Sequence, residues 1–271
     1  MTAGALPEYR IKARNTSTQS ENAIHHDDVA RSYGFAGGLV PGVTVYAYVT
    51  HPLVAAWGPD WLERGTASVR FTKPLFEGDE ALVAGPTDAG VEGGTATVSV
   101  RTGSGAECST ATATLPHEPV SAPDPAGYVA APLPAERPPA VASNLCVGRV
   151  MGSPVNRYDA DAAAAWLDKV EDHLALYRGP AAYVHPAFYL DQANKALSQN
   201  VRLGPWIHVS SVVQHLSAAR VGETLATRGR VRTLFEKKGR EFVELDLLIS
   251  ASGRPVAHVL HTAIYRLPPP K

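Results

Sequence analysis

The sequence predicts an α+β fold built twice over, and three observations lead there. A proline-rich stretch divides the 271 residues into halves of similar size, matching segments recur in both halves, and in each half long runs of alternating apolar residues follow a tryptophan. The dividing stretch is 116–140, PHEPVSAPDPAGYVAAPLPAERPPA, within a linker drawn at 116–145. Its prolines remove backbone donors and suit neither a helix interior nor a central strand. It reads as a semi-extended connection between one domain at 1–115 and another at 146–271.

The recurrence carries one offset. VRFTKPLFEGD from Val69 matches VQHLSAARVGE from Val213, 144 positions on. Val40-Pro41-Gly42 meets Val184-His185-Pro186 at the same offset, and Trp61 meets Trp206 one residue out. Copies of this length are domains, not solenoid repeats.

The elements follow in chain order. Segment 43–57, VTVYAYVTHPLVAAW, has the β-branched content of a strand, yet Gly42 and Pro52 bracket it and it precedes every strand of its half. Ala67, Val69 and Phe71, then Ala96, Val98 and Val100, then ATAT at 111–114 alternate as strands do. Residues 159–177 differ: Trp166, Val170 and Leu174 recur at i+4 behind Asp159 or Asp161 as a cap, which predicts an amphipathic helix. After Trp206 come IHVSSVVQHLSA, ETLATRGRVRTLF, EFVELDLLIS and PVAHVLHTAIY, with turns at Gly239 and Gly253. The strands read as antiparallel, several with one wet face.

Composition narrows the function. A net charge of −1 without basic clusters argues against a nucleic-acid partner. No run approaches the roughly 20 apolar residues that span a bilayer. Cys108 and Cys146 stand far apart with no CxxC pair, which suits a reducing cytoplasm and neither a disulfide framework nor a zinc site.

The chemistry-bearing stretch is 19–42, QSENAIHHDDVARSYGFAGGLVPG. Asn22-Ala23-Ile24-His25, then Ala30, Gly34-Phe35, Gly38 and Leu39-Val40-Pro41-Gly42, resembles the motif of the MaoC-like (R)-specific enoyl-CoA hydratases. That family carries Asp-x-Asn-Pro-(Leu/Ile)-His, a loop, and a Val-His-Gly or Val-Pro-Gly start to a long central helix. The resemblance implies a hotdog fold, a curved antiparallel sheet wrapped on that helix. With two copies in one chain it implies a double hotdog, a pseudo-twofold unit whose sheets continue edge to edge. It also implies a catalytic role for His25, with Asn22 shaping the same loop. Backbone amides near Gly42, on a substrate-binding stretch with Gly38 and Pro41, would hold a thioester carbonyl. Helix N-termini favour developing negative charge.

One departure bears on the chemistry. Where the family has its catalytic aspartate, this chain has Ser20, which cannot act as a carboxylate base and is left as a substrate-binding or water-positioning group. Asp191, in YVHPAFYLDQANKAL, stands six positions after His185, a spacing similar to that of acyl-carrier-protein dehydratases. If the halves pack as a pseudo-dimer, Asp191 would face His25 across the interface. The alternative for Asp191, Gln192 and Asn194 is an ordinary polar helix face.

The implied activity is hydration of an enoyl thioester or dehydration of its 3-hydroxyacyl product. The partner would be an acyl-CoA or acyl-carrier-protein thioester, and CoA or phosphopantetheine would arrive with the substrate, not as a separate cofactor. A homodimer of the double unit stays open. A hotdog thioesterase using Asp191, or a non-catalytic acyl or polyketide binder, are the other readings. His25-His26-Asp27-Asp28 is not read as a metal site, because four adjacent residues cannot converge on one ion and no HxxxH or HxH accompanies them. His26, Asp27 and Asp28 read as solvated or capping residues. His185, His208, His215, His258 and His261 read as hydrogen-bonded residues of the second half, with one or two on an acyl tunnel as the alternative.

Overall fold

The computed structural model describes residues 4–87 and 94–270. The first half runs β1 (Gly4–Ala5), β2 (Tyr9–Lys12), α1 (Asp27–Ser32), α2 (Gly42–Arg64), β3 (Thr66–Phe71), β4 (Glu80–Ala84), β5 (Pro86–Thr87), β6 (Gly94–Thr102) and β7 (Glu107–Leu115). The second runs β8 (Val150–Met151), β9 (Val155–Arg157), α3 (Ala160–Val170), α4 (Pro186–Ser198), β10 (Ile207–His215), β11 (Thr224–Lys237), β12 (Arg240–Ala251) and β13 (Arg254–Arg266).

All strands join one antiparallel sheet. Its main path runs β1-β5-β6-β7-β3 through the first half and β10-β13-β12-β11-β8 through the second, while β4 pairs with β6 and β2, and β9 with β11. The halves are therefore related by a pseudo-twofold axis and meet at β3 and β10, where Val69 pairs with Ser211 and Ala67 with Val213. These are the strands that the recurring segments begin on. The copies also share hydrogen bonds at the 144-residue offset. Val40 N–H donates to Leu75 O and Val184 N–H to Ala219 O, both at 2.9 Å. Phe76 N–H donates to Asp79 Oδ2 and Arg220 N–H to Glu223 Oε2. Gly78 and Gly222 turn each copy at φ of 83° and 97°, a region that glycine enters without the Cβ penalty.

The central helices α2 and α4 lie against each other and against the sheet. Residues 43–57 are helical despite their β-branched content. Val43 through Thr50 are buried without a break, so the helix has no polar face to give it a 3.6-residue signature, and packing overrides propensity. Gly58, at φ 61° and ψ −150°, interrupts α2 just before Pro59.

The helix expected over 159–177 is shorter. Asp159 caps it as read, but it ends at Val170 because Glu171 turns left-handed and Asp172 leaves the axis to bond elsewhere. Leu174 only precedes a 3₁₀ turn, Ala175–Tyr177. Trp61 and Trp206 are not equivalent in place: Trp61 sits in the last turns of α2, Trp206 in the loop before β10. The proline-rich connection packs as a strap. Tyr128 is buried with its hydroxyl donating to Asp246 Oδ1 at 2.7 Å, and Arg137 Nη1 bonds Glu21 Oε2 and the Ser198 carbonyl. Among the described residues no helix is long and apolar enough to cross a membrane.

Candidate active site

The loop from Ser20 to Gly42 holds His25 in one orientation. Asn22 caps a 3₁₀ turn, Ala23–His25, by accepting from Ile24 N–H. His25 Nδ1 lies 2.7 Å from the Leu39 carbonyl oxygen. A carbonyl only accepts, so Nδ1 carries the proton and Nε2 presents its lone pair. Asn22 Nδ2 donates to that Nε2 at 3.3 Å and to the Trp206 carbonyl at 3.0 Å, while Asn22 Oδ1 accepts from Trp206 N–H at 3.1 Å. Asn22 thus fastens the loop of the first half to the backbone of the second. Burial pushes the His25 pKa down to about 4; the Leu39 hydrogen bond works in the other direction, and the charge of Lys169 adds to the lowering. The ring is neutral at pH 7.

The rest of the loop is structural. Gly38 N–H donates to Asp27 Oδ1 at 2.8 Å, and a Cβ on Gly38 would stand 2.2 Å from the His25 carbonyl oxygen. Gly38 is therefore needed for close packing behind His25, and its amide is already engaged by Asp27. Asp27 also holds Arg31, and His26 Nε2 bonds the Ser20 carbonyl at 3.0 Å. Among the described residues no group of three His, Cys, Asp or Glu side chains is arranged to hold a metal ion.

Two cavities meet at His25. One, of about 300 Å³, is a polar vestibule lined by Ser20, Arg137, Lys169, Asp191, Lys195 and Arg202 among others. The other, of about 280 Å³, is a mostly apolar tunnel that includes Val45, Phe71, Leu75, Ile207 and Ile264. Asn22, His25, Pro41, Asn194 and Trp206 border both and form the neck.

The start of α2 completes the neck. Pro41 caps the helix without a side-chain bond, and its carbonyl accepts from Thr44 and Val45 N–H. Gly42 and Val43 N–H have no acceptor among the described residues, which is the usual state of first-turn amides. Gly42 borders the tunnel and Val43 the vestibule. A neutral imidazole and two open amides therefore flank one passage.

Ser20 and Asp191 both line the vestibule, on loop and helix respectively. Ser20 Oγ donates to the Asn22 carbonyl at 3.3 Å. No hydrogen bond joins Asp191 to His25. Its carboxylate takes Lys195 Nζ at 3.1 Å and Gln192 Nε2 at 3.3 Å. Asn194, one turn on, has a shielded Oδ1 with no partner among the described residues and sits in the neck itself. Sequence reasoning grouped Asn194 with a polar helix face; its i+3 spacing from Asp191 was the available signal.

The pseudo-symmetric position in the second half is closed. His51, offset by 144 from Lys195, bonds through Nδ1 to Asp172 Oδ1 at 3.1 Å, and His185 Nε2 bonds Asp172 Oδ2 at 3.2 Å. Burial raises the Asp172 pKa, but the hydrogen bonds from His185 and His51 outweigh it and hold the carboxyl below the usual range. Tyr177 packs on His185 with ring centroids 4.6 Å apart, and Trp166 meets Phe188 at 5.2 Å.

No family model and no curated protein sequence matches the chain. Solved structures do. A protein described as a MaoC-domain dehydratase from Chloroflexus aurantiacus superposes with a TM-score of 0.68 at 11% identity, covering 99% of this chain and 96% of that one. A Mycobacterium tuberculosis protein with a double hotdog fold gives 0.67 at 15% identity, over 97% and 96%. A protein described as an oleoyl thioesterase from Lactobacillus plantarum gives 0.56 at 10% identity, over 98% of each chain. Identities this low speak to architecture alone. The fold is the double hotdog.

Proposed function

We propose that this double hotdog hydrates an enoyl thioester, or dehydrates the 3-hydroxyacyl thioester in reverse, with His25 as the acid/base group. The observation that carries the reading is the neutral His25 ring, its Nδ1–H anchored on Leu39 and its Nε2 at a neck shared by two cavities. That Nε2 accepts a long 3.3 Å hydrogen bond from Asn22, which water would replace. In the forward direction water gives a proton to Nε2 while its oxygen adds to the β-carbon. The displaced electron pair reaches the thioester oxygen, where Gly42 and Val43 N–H would receive it in a site of low dielectric. The imidazolium then returns a proton to the α-carbon, and the atoms balance. Asn22 positions the ring, and Asn194 would orient the water from the opposite wall.

The two cavities support a thioester as substrate. The acyl chain would occupy the tunnel, while Arg202, Lys169 and Arg137 in the vestibule suit the phosphates of CoA or of a carrier-bound phosphopantetheine. A thioesterase reading has one observation in its favour, Asp191 on the same vestibule wall. Its engagement with Lys195 and Gln192 makes it the weaker base candidate. The binder reading rests on Ser20, since the family's carboxylate position holds none.

The test follows the ultraviolet absorbance of an enoyl-CoA beside a free-thiol assay, with wild type and His25→Ala. Loss of absorbance without thiol release, abolished in the variant, is the expected result. Thiol release selects the thioesterase. Neither signal, together with a melting temperature raised by acyl-CoA, selects the binder.

A further inference from the structure

The tunnel walls carry charge of one sign. Among the described residues that line it, Lys73 and Arg240 are the charged side chains, and no acid borders it. Its two histidines, His25 and His208, are held neutral by burial. Thr72, on the same wall, is engaged, its Oγ1 donating to the Cys108 carbonyl at 3.2 Å.

Each half supplies one of the cations. Lys73 follows β3, its backbone N–H on the Cys108 carbonyl at 3.2 Å. Arg240 opens β12, where Phe242 pairs with Ile264 and Ile264 in turn with Ile207, the last two on the tunnel wall. Both cations are exposed, and both border the tunnel but not the vestibule, so they stand where the tunnel opens to solvent. Neither has an ion pair among the described residues, whereas Arg232 takes Glu244 at 2.7 Å and Arg266 takes Glu241 at 3.0 Å. The acids beside them in the chain are already held. Glu241 also accepts from the Tyr265 hydroxyl at 2.6 Å, and Glu77 from Asn15 N–H at 2.5 Å.

Two like charges without a counter-ion, beside a cavity with apolar walls, focus a positive potential into it. A hydrocarbon chain end gains nothing from that potential, and an anionic one does. A guanidinium matches a carboxylate through two parallel N–H bonds, and an ammonium adds a point charge. We infer that Lys73 and Arg240 receive a carboxylate at the end of the acyl chain, so that the substrate is the mono-thioester of a dicarboxylic acid. This rests on the tunnel being the acyl site of the proposed function. It does not require that His25 perform the hydration. The competing anion is a phosphate of CoA itself, and the test separates the two.

The test is calorimetric binding of saturated CoA thioesters to the full chain: glutaryl-, adipoyl-, pimeloyl- and suberoyl-CoA, each against its terminal amide. Acid and amide share length and CoA and differ in charge. At least one acid is expected to bind roughly three- to tenfold tighter than its amide, the worth of two exposed ion pairs, and to lose that margin as salt is raised. The double variant Lys73→Gln/Arg240→Gln is expected to bind acid and amide alike, with the amide's affinity unchanged. The inference is overturned if no acid outbinds its amide on wild type, or if the margin survives in the double variant. A variant that weakens acid and amide equally assigns the two cations to the CoA phosphates and also overturns it. The first comparison needs wild type alone, so it decides even if the variant fails to fold. Saturated chains need no catalysis, so the two readings fail separately. Hydration insensitive to His25→Ala would remove the mechanism alone, and equal binding of acids and amides would remove this inference alone.

Discussion

The two central helices begin alike and end up doing opposite things with their first amides. Gly42 corresponds to Pro186 and Val43 to Ala187 at the shared offset. At α2 both N–H groups stay open beside a cavity. At α4 the first is deleted by proline and the second is taken by His185 Nδ1 at 3.1 Å. The cleft behind α4 is then filled by aromatic rings and by Asp172 held between two histidines. The comparison teaches how a duplicated fold divides labour. One copy leaves its helix-start amides unpaired and able to bind; the other removes the first and satisfies the second.

That contrast can be broken most severely at His25. His25→Ala is expected to lower hydration by about 10²–10⁴, the usual worth of one acid/base group, while the melting temperature changes little. Asp172→Ala tests the closed side. Leaving His51 and His185 without their shared carboxylate is expected to cost about 3–5 kcal/mol of stability, read as a shifted urea midpoint, with kcat/KM per folded molecule unchanged. A large loss of kcat/KM would mean that the second cleft is also catalytic. Gly42→Pro copies the residue of the second half into the first. Proline is tolerated at the first helical position, so the open amide disappears without ending the helix, and kcat is expected to fall by about 10²–10³. Its ring must also displace His208 and Phe71, so the melting temperature is measured alongside.

A change of pH tests both the open site and the buried histidines without any substitution. His25 must be neutral to accept a proton, and its pKa is pushed down to about 4, so the hydration rate is expected to stay flat from pH 8 to 6 and fall only as pH approaches 4. An ordinary histidine would give an acid limb near 6.5. Stability follows the same sign. His215 and His261 are buried and held down to about 3, so between roughly pH 6.5 and 3 the unfolded chain binds more protons than the folded one. Stability is present above that window and drains as pH falls through it, by up to about 1.4 kcal/mol per pH unit for each such ring. A urea midpoint unchanged from pH 7 to 4.5 would contradict this.

Much of this architecture was legible before any coordinates. Turn chemistry repeats in both copies, with Gly78 and Gly222 at the same offset as Asp79 and Glu223, because each copy needs the same left-handed corner and the same carboxylate to hold it. That Asn22 and His25 share one loop was legible too, since a short motif keeps its partners close in the chain. Asp172 and His51 were not singled out for these roles. His51 and Asp172 are 121 residues apart, and no local pattern records that they touch. Asp191 was legible as a candidate, but which groups occupy its carboxylate was not.

Sequence alone determined a duplicated α+β chain, its strap of prolines, and one histidine loop leading into a helix, because period, turn residues and adjacency are properties of neighbours along the chain. Only the tertiary structure decided which of two equivalent helix starts stays open and which closes. That outcome depends on which side chains the opposite half brings against each one.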